Sequence, residues 1–502
     1  MTEPALLRLK STAGRGVLLA AILASGMAFL DSTIVNVALP HIGADLGADV
    51  AGLQWTVNGY LLTLAAFVLL GGALGDRMGR RRIFLFGVLW FTAASVLCGL
   101  APSIEFLIGA RFLQGAGSAL LTPGSLALMQ SSFHPDDRGR AIGMWSGLAG
   151  VSTALGPFIG GWLIDSFSWR WAFLINVPLA VVVVLATIRW VPESRDPGSA
   201  RHFDVLGATL AALGLAGVTY ALIEAPVHGY GSASVIGAAA AGVAAAAAFV
   251  VVERRRGDAA MVPPSLFGSR LFSVLNVYTL AVYAALSGQG FFFAVQLQNV
   301  AGYSALATGV ATLPMTVLML LLSARSGALA ARIGPRIQLT VGPLLAAIGL
   351  VLLRGVGADA NYLTDVLPGV ILFGLGLTTL VAPLTAAVLA AVEDRHAGLA
   401  SGVNNAAARA GALLAIAALP LLVGLTGEAY EDPAALTAAY RAALLWCVGL
   451  LLVGTVLAGL FTGGGRRRAH EPCMPVATAS HPAHPVHVGS GGRGGISARG
   501  PG

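Results

Sequence analysis

The sequence predicts an all-α polytopic membrane protein, and three observations carry that prediction. Of the 502 residues, 56% are hydrophobic and 11% charged, with a mean hydropathy of +0.81. A soluble chain of this length would expose far more charge. The apolar residues fall into fourteen runs of about 19 to 26 residues, each long enough to cross a bilayer at about 1.5 Å per residue. Finally, most Lys and Arg lie between alternate runs; only Arg170, Arg354 and Arg441 fall on the other side, with Arg111 and Arg409 inside runs. That positive-inside pattern puts both termini in the cytoplasm.

The runs lie near 17–39, 51–72, 83–101, 104–129, 141–164, 171–191, 205–225, 231–252, 271–295, 305–324, 337–356, 366–390, 398–424 and 442–462. The net charge of +7 would suggest nucleic acid in a soluble protein. Here its clusters "RMGRRR" (77–82), "ERRR" (253–256) and "RRR" (466–468) flank spans, which assigns them to topology and excludes nucleic acid as a partner. Span 1 follows Arg8, Lys10 and Arg15, is too long for a signal-peptide core and has no clean cleavage site after it, so it is expected to be retained. The 29 Arg against one Lys, with abundant Ala and Gly, point to a GC-rich bacterial genome and hence the bacterial cytoplasmic membrane.

Span 1 carries a carboxylate, Asp31, in "MAFLDSTIVNVALP" (27–40). Span 4 carries Arg111 at a similar estimated depth, roughly 10 Å from the same face. Each costs on the order of 3 kcal/mol alone and becomes tolerable if the two share a polar site. A static pair fixing the packing of spans 1 and 4 is one reading. A protonatable switch is the favoured one, because intramembrane ionisable groups are functional by default.

Between spans 2 and 3, "GALGDRMGRRR" (72–82) has Gly79 for a tight or left-handed turn. Asp76 can cap span 3 or pair with nearby arginines, and Asp76, Arg77 and Arg80 are candidates for a conformational gate. In span 5, "STALGPFIGGWL" (152–163) places Gly156, Gly160 and Gly161 for close helix approach, and Pro157 bends the helix. In "WRWAFLINVP", around the start of span 6, Trp169, Trp171, Asn176 and Pro178 read as interfacial anchors, as does Glu224 at the end of span 7.

Softer candidates for a cavity lining are Gln54, Asn58, Tyr60 and Gln114, then Gln296 and Gln298, then Asn404, Asn405 and Arg409. Interhelical hydrogen bonding is the competing explanation for such groups. The run Phe291 to Phe293, with Phe292 at its centre, suits a flat aromatic or cationic substrate or equally a lipid-facing surface. No cofactor and no metal are expected. His481, His484 and His487 are irregularly spaced without acidic or cysteine partners, and Cys98, Cys447 and Cys473 form no disulfide framework. A GxxxxGK[ST] loop is absent, which argues against ATP coupling in this chain.

"GALGDRMGRRR" is echoed by "GALAARIGPRI" (327–337), "DDRGRAIG" (136–143) by "EDRHAGLASG" (393–402), and "QGAGSALLTP" (114–123) by "FGLGLTTLVAP" (373–383). A nearly constant offset implies two six-span halves with a two-span insert. The expected organisation is 1–200 for the first half, 201–265 for the insert, 266–465 for the second half, and a disordered tail over 466–502.

Together these segments resemble the major facilitator superfamily, specifically its 14-span drug:proton antiporter branch of the EmrB/QacA type. "LDSTIVNVALP" is similar to the branch's first-span motif, "GALGDRMGRRRI" to the superfamily loop motif, "RFLQGAGSALLTP" to the fourth-span motif and "LGPFIGGWL" to the antiporter motif. "WRWAFLINVP" and "LQNVAGYSALATGVATLP" (297–314) also resemble it, and Ser152 stands where the motif often has glycine. The resemblance implies a major facilitator fold with two extra central helices. It implies proton transfer at Arg111, coupling or substrate charge recognition at Asp31, and a cytoplasmic gate at Asp76, Arg77, Gly79 and Arg80. Gly156, Pro157, Gly160 and Gly161 would bias the protein toward exchange.

The expected function is therefore proton-driven efflux of a lipophilic, cationic drug or secondary metabolite by alternating access. Its partners are protons, the substrate and membrane lipid; a monomer is expected, with an accessory export protein left open. A nutrient-importing symporter and a non-transporting receptor or scaffold are the alternatives. No nucleophile–base or metal-ligand set suggests an enzyme.

Overall fold

The computed structural model describes residues 6–195, 204–257, 260–393, 396–425 and 427–461. The tail, with Cys473 and the three histidines, lies outside the described residues. The fold is helical: α1 (Thr12–Leu46), α2 (Val50–Met78), α3 (Arg80–Gly99), α4 (Ile104–Ser132), α5 (Pro135–Ser166), α6 (Trp171–Leu174), α7 (Asn176–Trp190), α8 (Val205–His228), α9 (Ala233–Arg256), α10 (Arg270–Asn299), α11 (Ala305–Ile333), α12 (Arg336–Leu353), α13 (Leu367–Ala390), α14 (Ala397–Leu422) and α15 (Pro433–Phe461).

Polar residues in the turns start these helices. Ser11, Asp49, Ser103, Asp204, Ser269 and Ser304 each accept a backbone N–H of the first turn at the start of α1, α2, α4, α8, α10 and α11. Thirteen spans among the described residues are long and apolar enough to cross a membrane, with α6 and α7 together making one. The predicted fifth span is α5, a fourteenth long helix of 32 residues whose glycines, serines and proline dilute its apolarity.

Several boundaries differ from the expected ones, among them the end of α11 at Ile333 rather than near 324. α1 runs on past Leu39 to Leu46, where Gly47 at φ 62° ends it. α15 begins at Pro433 rather than near residue 442. Span 6 is interrupted at Ile175, between α6 and α7.

Within the first half α1 packs on α5 and α7, α2 on α4, and α3 on α4. The second half repeats this as α10 on α14 and α15, α11 on α13, and α12 on α13. The halves meet through α2 against α14 and α5 against α11, two contacts exchanged by the repeat, with α1 touching α10 between them. The insert breaks the symmetry: α9 packs on α8, and α8 lies against both α2 and α14.

The hydrogen bonds joining the halves among the described residues cluster at the end opposite the basic loops. Gln54 Nε2 donates to the carbonyls of Ile416 (2.7 Å) and Ala417 (3.1 Å), and Gln298 Nε2 to that of Val37 (2.9 Å). Asp165 accepts the N–H groups of Ala305 and Leu306 at 3.1 and 2.8 Å. At the basic end the chain start is tied within its own half. Leu7 bonds Ser132 and His134 through the backbone, and Arg8 pairs with Asp136 at 3.0 Å.

Candidate functional site

Asp31 and Arg111 meet. Arg111 Nη1 lies 2.6 Å from Asp31 Oδ2, and the side chains are 1% and 0% exposed, so the pair is sealed from solvent. The same nitrogen donates to Gln114 Oε1 at 2.6 Å, and Nε donates to the Thr56 carbonyl at 2.9 Å. The guanidinium lies over the Tyr60 ring, 4.4 Å from its centroid, with Phe173 at 5.7 Å. Gln114 Nε2 donates to Asp31 Oδ1 at 2.7 Å, so both carboxylate oxygens have a donor.

From Gln114 the network continues outward. Its Nε2 also donates to Ser95 Oγ (3.1 Å), which donates to the Phe173 carbonyl (3.0 Å) and accepts from Asn176 Nδ2 (2.9 Å). Five elements therefore converge on one buried site: α1, α2, α3, α4 and the α6–α7 break. Helical spacing explains part of this, since Arg111 and Gln114 are three residues apart on α4 and share a face. Glycine explains another part. Gly115 sits so close to the Tyr60 carbonyl that no side chain fits there, which brings α4 against α2.

Two sequence assignments are corrected here. Gln114 belongs to the ion-pair network rather than to an open lining. Asn176 is fully buried and hydrogen-bonded, not an interfacial anchor. Ser95 and Asn176 were missed as network members, although each is a small polar residue inside an apolar run, and that was the available signal.

At the basic end, Arg80 donates from Nε and Nη2 to Asp76 Oδ1, both at 2.8 Å. Glu193, just past α7, accepts the Arg81 N–H at 3.2 Å and lies 3.6 Å from Arg82. Gly79 adopts φ 116°, the positive-φ backbone its position suggested. Gly334, its echo, is at φ 86°. Arg77 is exposed and forms no ion pair among the described residues, while Arg81 donates to the Ile188 carbonyl at 3.0 Å.

The glycines of α5 serve two partners. A Cβ on Gly160 would come 2.7 Å from Ile34 Cγ2 of α1, and one on Gly156 would collide with Thr33. Gly161 instead faces the backbone of Ala305 and Leu306, while Gly309 of α11 packs against the Pro157 carbonyl. Ser152 is accommodated by Gly26 of α1, where a Cβ would meet its Oγ at 2.8 Å.

The remaining candidates divide. Gln54 and Gln298 clamp the two halves together. Gln296 works inside the second half, donating to the Val356 carbonyl (3.1 Å) and Thr437 (3.2 Å), and Asn404 donates to Thr279 at 2.7 Å. Phe291, Phe292 and Phe293 are all at most 2% exposed, so the run packs inside the protein and faces neither lipid nor open space. Glu224 is not a free interfacial group: it accepts Trp55 Nε1 at 2.7 Å and lies 3.1 Å from His228. Tyr60 shares a hydrogen bond with Ser118 at 2.8 Å. Asn58 and Arg409 have no hydrogen-bond partner among the described residues.

Residues 21–417 match the family model described as Major Facilitator Superfamily. The chain is 36% identical over 489 residues to the puromycin resistance protein pur8 of Streptomyces alboniger, covering 93% of this chain and 95% of that one. It is 36% identical over 408 residues to the multidrug resistance protein Stp of Mycobacterium tuberculosis, covering 81% and 75%. Among solved structures it resembles a bacterial homologue of the human lysosomal transporter Spinster, at TM-score 0.63 and 18% identity over 90% of this chain and 97% of that one. A peptide transporter POT in complex with sulfate matches at TM-score 0.64 and 15% identity, over 91% and 98%.

Proposed function

The chain belongs to the major facilitator superfamily, and on that premise we propose that it exports a lipophilic small molecule in exchange for protons. It is a multi-pass membrane transporter of the drug-efflux kind and not an enzyme. Export as the direction of flux rests on the relatives, which are named for resistance to antibiotics. The basic end is taken as cytoplasmic, in the plasma membrane of a bacterium, on the distribution of arginine.

The observation that carries proton coupling is the sealed Asp31–Arg111 pair. Ionised, Asp31 holds Arg111 and Gln114 through both oxygens. A proton taken up on one oxygen removes the charge and frees a donor, yet Arg111 keeps the Gln114 oxygen, the Thr56 carbonyl and the Tyr60 ring. The cation is never stranded, so the carboxyl can change state at a cost an alternating cycle can bear. That redistribution acts on α1, which touches α5, α10 and α11 and so links the site to the seam between the halves.

With the halves clamped at the far end, the basic end is the side from which substrate enters in this reading. The proton gradient and the membrane potential, worth about 2.3 kcal/mol per charge per 100 mV, drive the exchange. A cationic substrate, as the sequence suggested, would have to displace Arg111 to use Asp31 as its counter-charge. In this scheme Asp76, Arg77 and Arg80 re-pair when the basic end closes.

The test is substrate-induced proton release from acid-loaded inside-out vesicles, with lipophilic cations, neutral compounds and acids presented in turn. Native protein is expected to release protons with at least one class, and Asp31→Asn with none. Export by Asp31→Asn at the native rate, still coupled to protons, defeats the assignment of Asp31.

A further inference from the structure

Arg409 stands at the middle of α14, about 18 Å from either end of the helix. A guanidinium at that depth is costly unless an acid or free carbonyls meet it. Among the described residues it has neither an ion pair nor a hydrogen bond, and it is partly exposed. No helix from α10 to α15 contains an Asp or Glu. In the first half Asp31, the carboxylate inside α1, is already enclosed by Arg111 and Gln114.

α14, which carries Arg409, packs against α2 across the seam between the halves. The opposing helix has an orphan of its own. Asn58 is fully buried, and neither its amide nitrogen nor its oxygen has a partner. Gln54 fixes the register by bonding Ile416 and Ala417 across the seam. From that clamp, Asn58 is one turn along α2 and Arg409 is two turns back along antiparallel α14, so both face the same stretch of seam. Ser401 and Asn405 continue the Arg409 stripe at four-residue spacing toward the basic end, and Asn405 is exposed.

A partly wetted cation without a counter-ion among the described residues and a buried amide without a partner, on facing helices, together describe a receptor for an anion. We propose that Arg409, with Asn58 across the seam, binds an ionised acidic group, a carboxylate or phenolate, on an otherwise apolar aromatic substrate. The inference rests on the reading that substrate binds between the halves. It reverses the sign of charge that the sequence suggested. The guanidinium offers paired donors in the geometry a carboxylate accepts, and Asn58 adds a further donor.

The experiment uses the purified full chain in detergent at pH 8, with pyrenebutyrate and its uncharged primary amide as paired probes. Binding is read by energy transfer from the protein's tryptophans. Native protein is expected to bind the acid about tenfold or more tightly than the amide. Arg409→Gln should bring the two within about twofold by weakening the acid alone, the unchanged amide affinity reporting an intact fold. Arg409→Lys should recover most of the preference. Equal affinities in the native protein, an acid preference that survives Arg409→Gln, or no saturable binding of the acid each overturns the proposal. Because no proton gradient enters the measurement, Asp31→Asn should keep the preference. Failure of proton coupling and failure of this site are thus separate results.

Discussion

Arg111 in the first half and Arg409 in the second both sit inside spanning helices, yet only Arg111 is enclosed. Arg111 is held by a carboxylate, an amide oxygen, a main-chain carbonyl and an aromatic face, all from its own half. Arg409 has no ion pair or hydrogen bond among the described residues, and its helix packs against α2 of the other half. The repeat has copied the helix arrangement and left the chemistry uncopied. A buried charge that is fully satisfied can act as an internal switch, because its partners tolerate a change of state. One left unsatisfied at a seam is available to something that comes and goes.

The comparison is most easily broken by stability measurements. Arg111→Ala leaves the Asp31 carboxylate buried and uncompensated, which costs about 3–5 kcal/mol. On an Asp31→Asn background the same substitution should cost far less, giving a coupling of about 2 kcal/mol or more in a double-mutant cycle. Arg409→Ala should change stability by no more than about 1 kcal/mol, since it breaks no ion pair. Thermal unfolding of the purified variants decides this. Equal losses for Arg111→Ala and Arg409→Ala would mean that the two arginines do not differ in the way described.

The loops echoed in the two halves provide a smaller contrast. Both Gly79 and Gly334 hold positive φ, so alanine at either is strained, by about 1–3 kcal/mol. Their surroundings differ. A Cβ on Gly79 would come 2.7 Å from Glu193 Oε1, while one on Gly334 meets nothing within 4 Å. Gly79→Ala should therefore lower the melting temperature more than Gly334→Ala, and Glu193→Ala should narrow the gap. An identical loss at the two positions would show that backbone strain alone governs both.

How much of this was legible follows from what sequence encodes locally. Apolar length announced the spans, and the echo of residues 72–82 at 327–337 announced the repeat, down to the shared positive φ of its glycines. Asp31 and Arg111 were legible because a charge inside an apolar run is expensive enough to be conspicuous. Their companions Ser95 and Asn176 were not, because small polar residues are cheap in a helix and become informative only once α3 and the α6–α7 break have been brought to α4. The same limit hid the difference between Gln296, which binds within its half, and Gln298, which reaches Val37 of the other. They lie two residues apart on one helix, and only the packing tells which side each faces. Likewise nothing local revealed that α8 would lie against both α2 and α14, since an insert's docking surface is set by partners distant in sequence.

The pair of glutamines on either side of the seam permits the finest test. Gln54 donates a buried, two-carbonyl clamp between the halves, whereas Gln296 makes a comparable bond inside one half. Replacing either with leucine forfeits about 1 kcal/mol of hydrogen bonding. Only Gln54→Leu charges that loss to the state in which the far end is closed, because the clamp must part when that end opens. Its closed-to-open ratio should fall about fivefold, while that of Gln296→Leu stays native. Spin labels at Ala48 and Leu422 flank this end, and their distance distribution should gain a longer population in Gln54→Leu alone. The same shift in both variants would mean that helix packing within a half, and not the seam, sets which end of the bundle is closed.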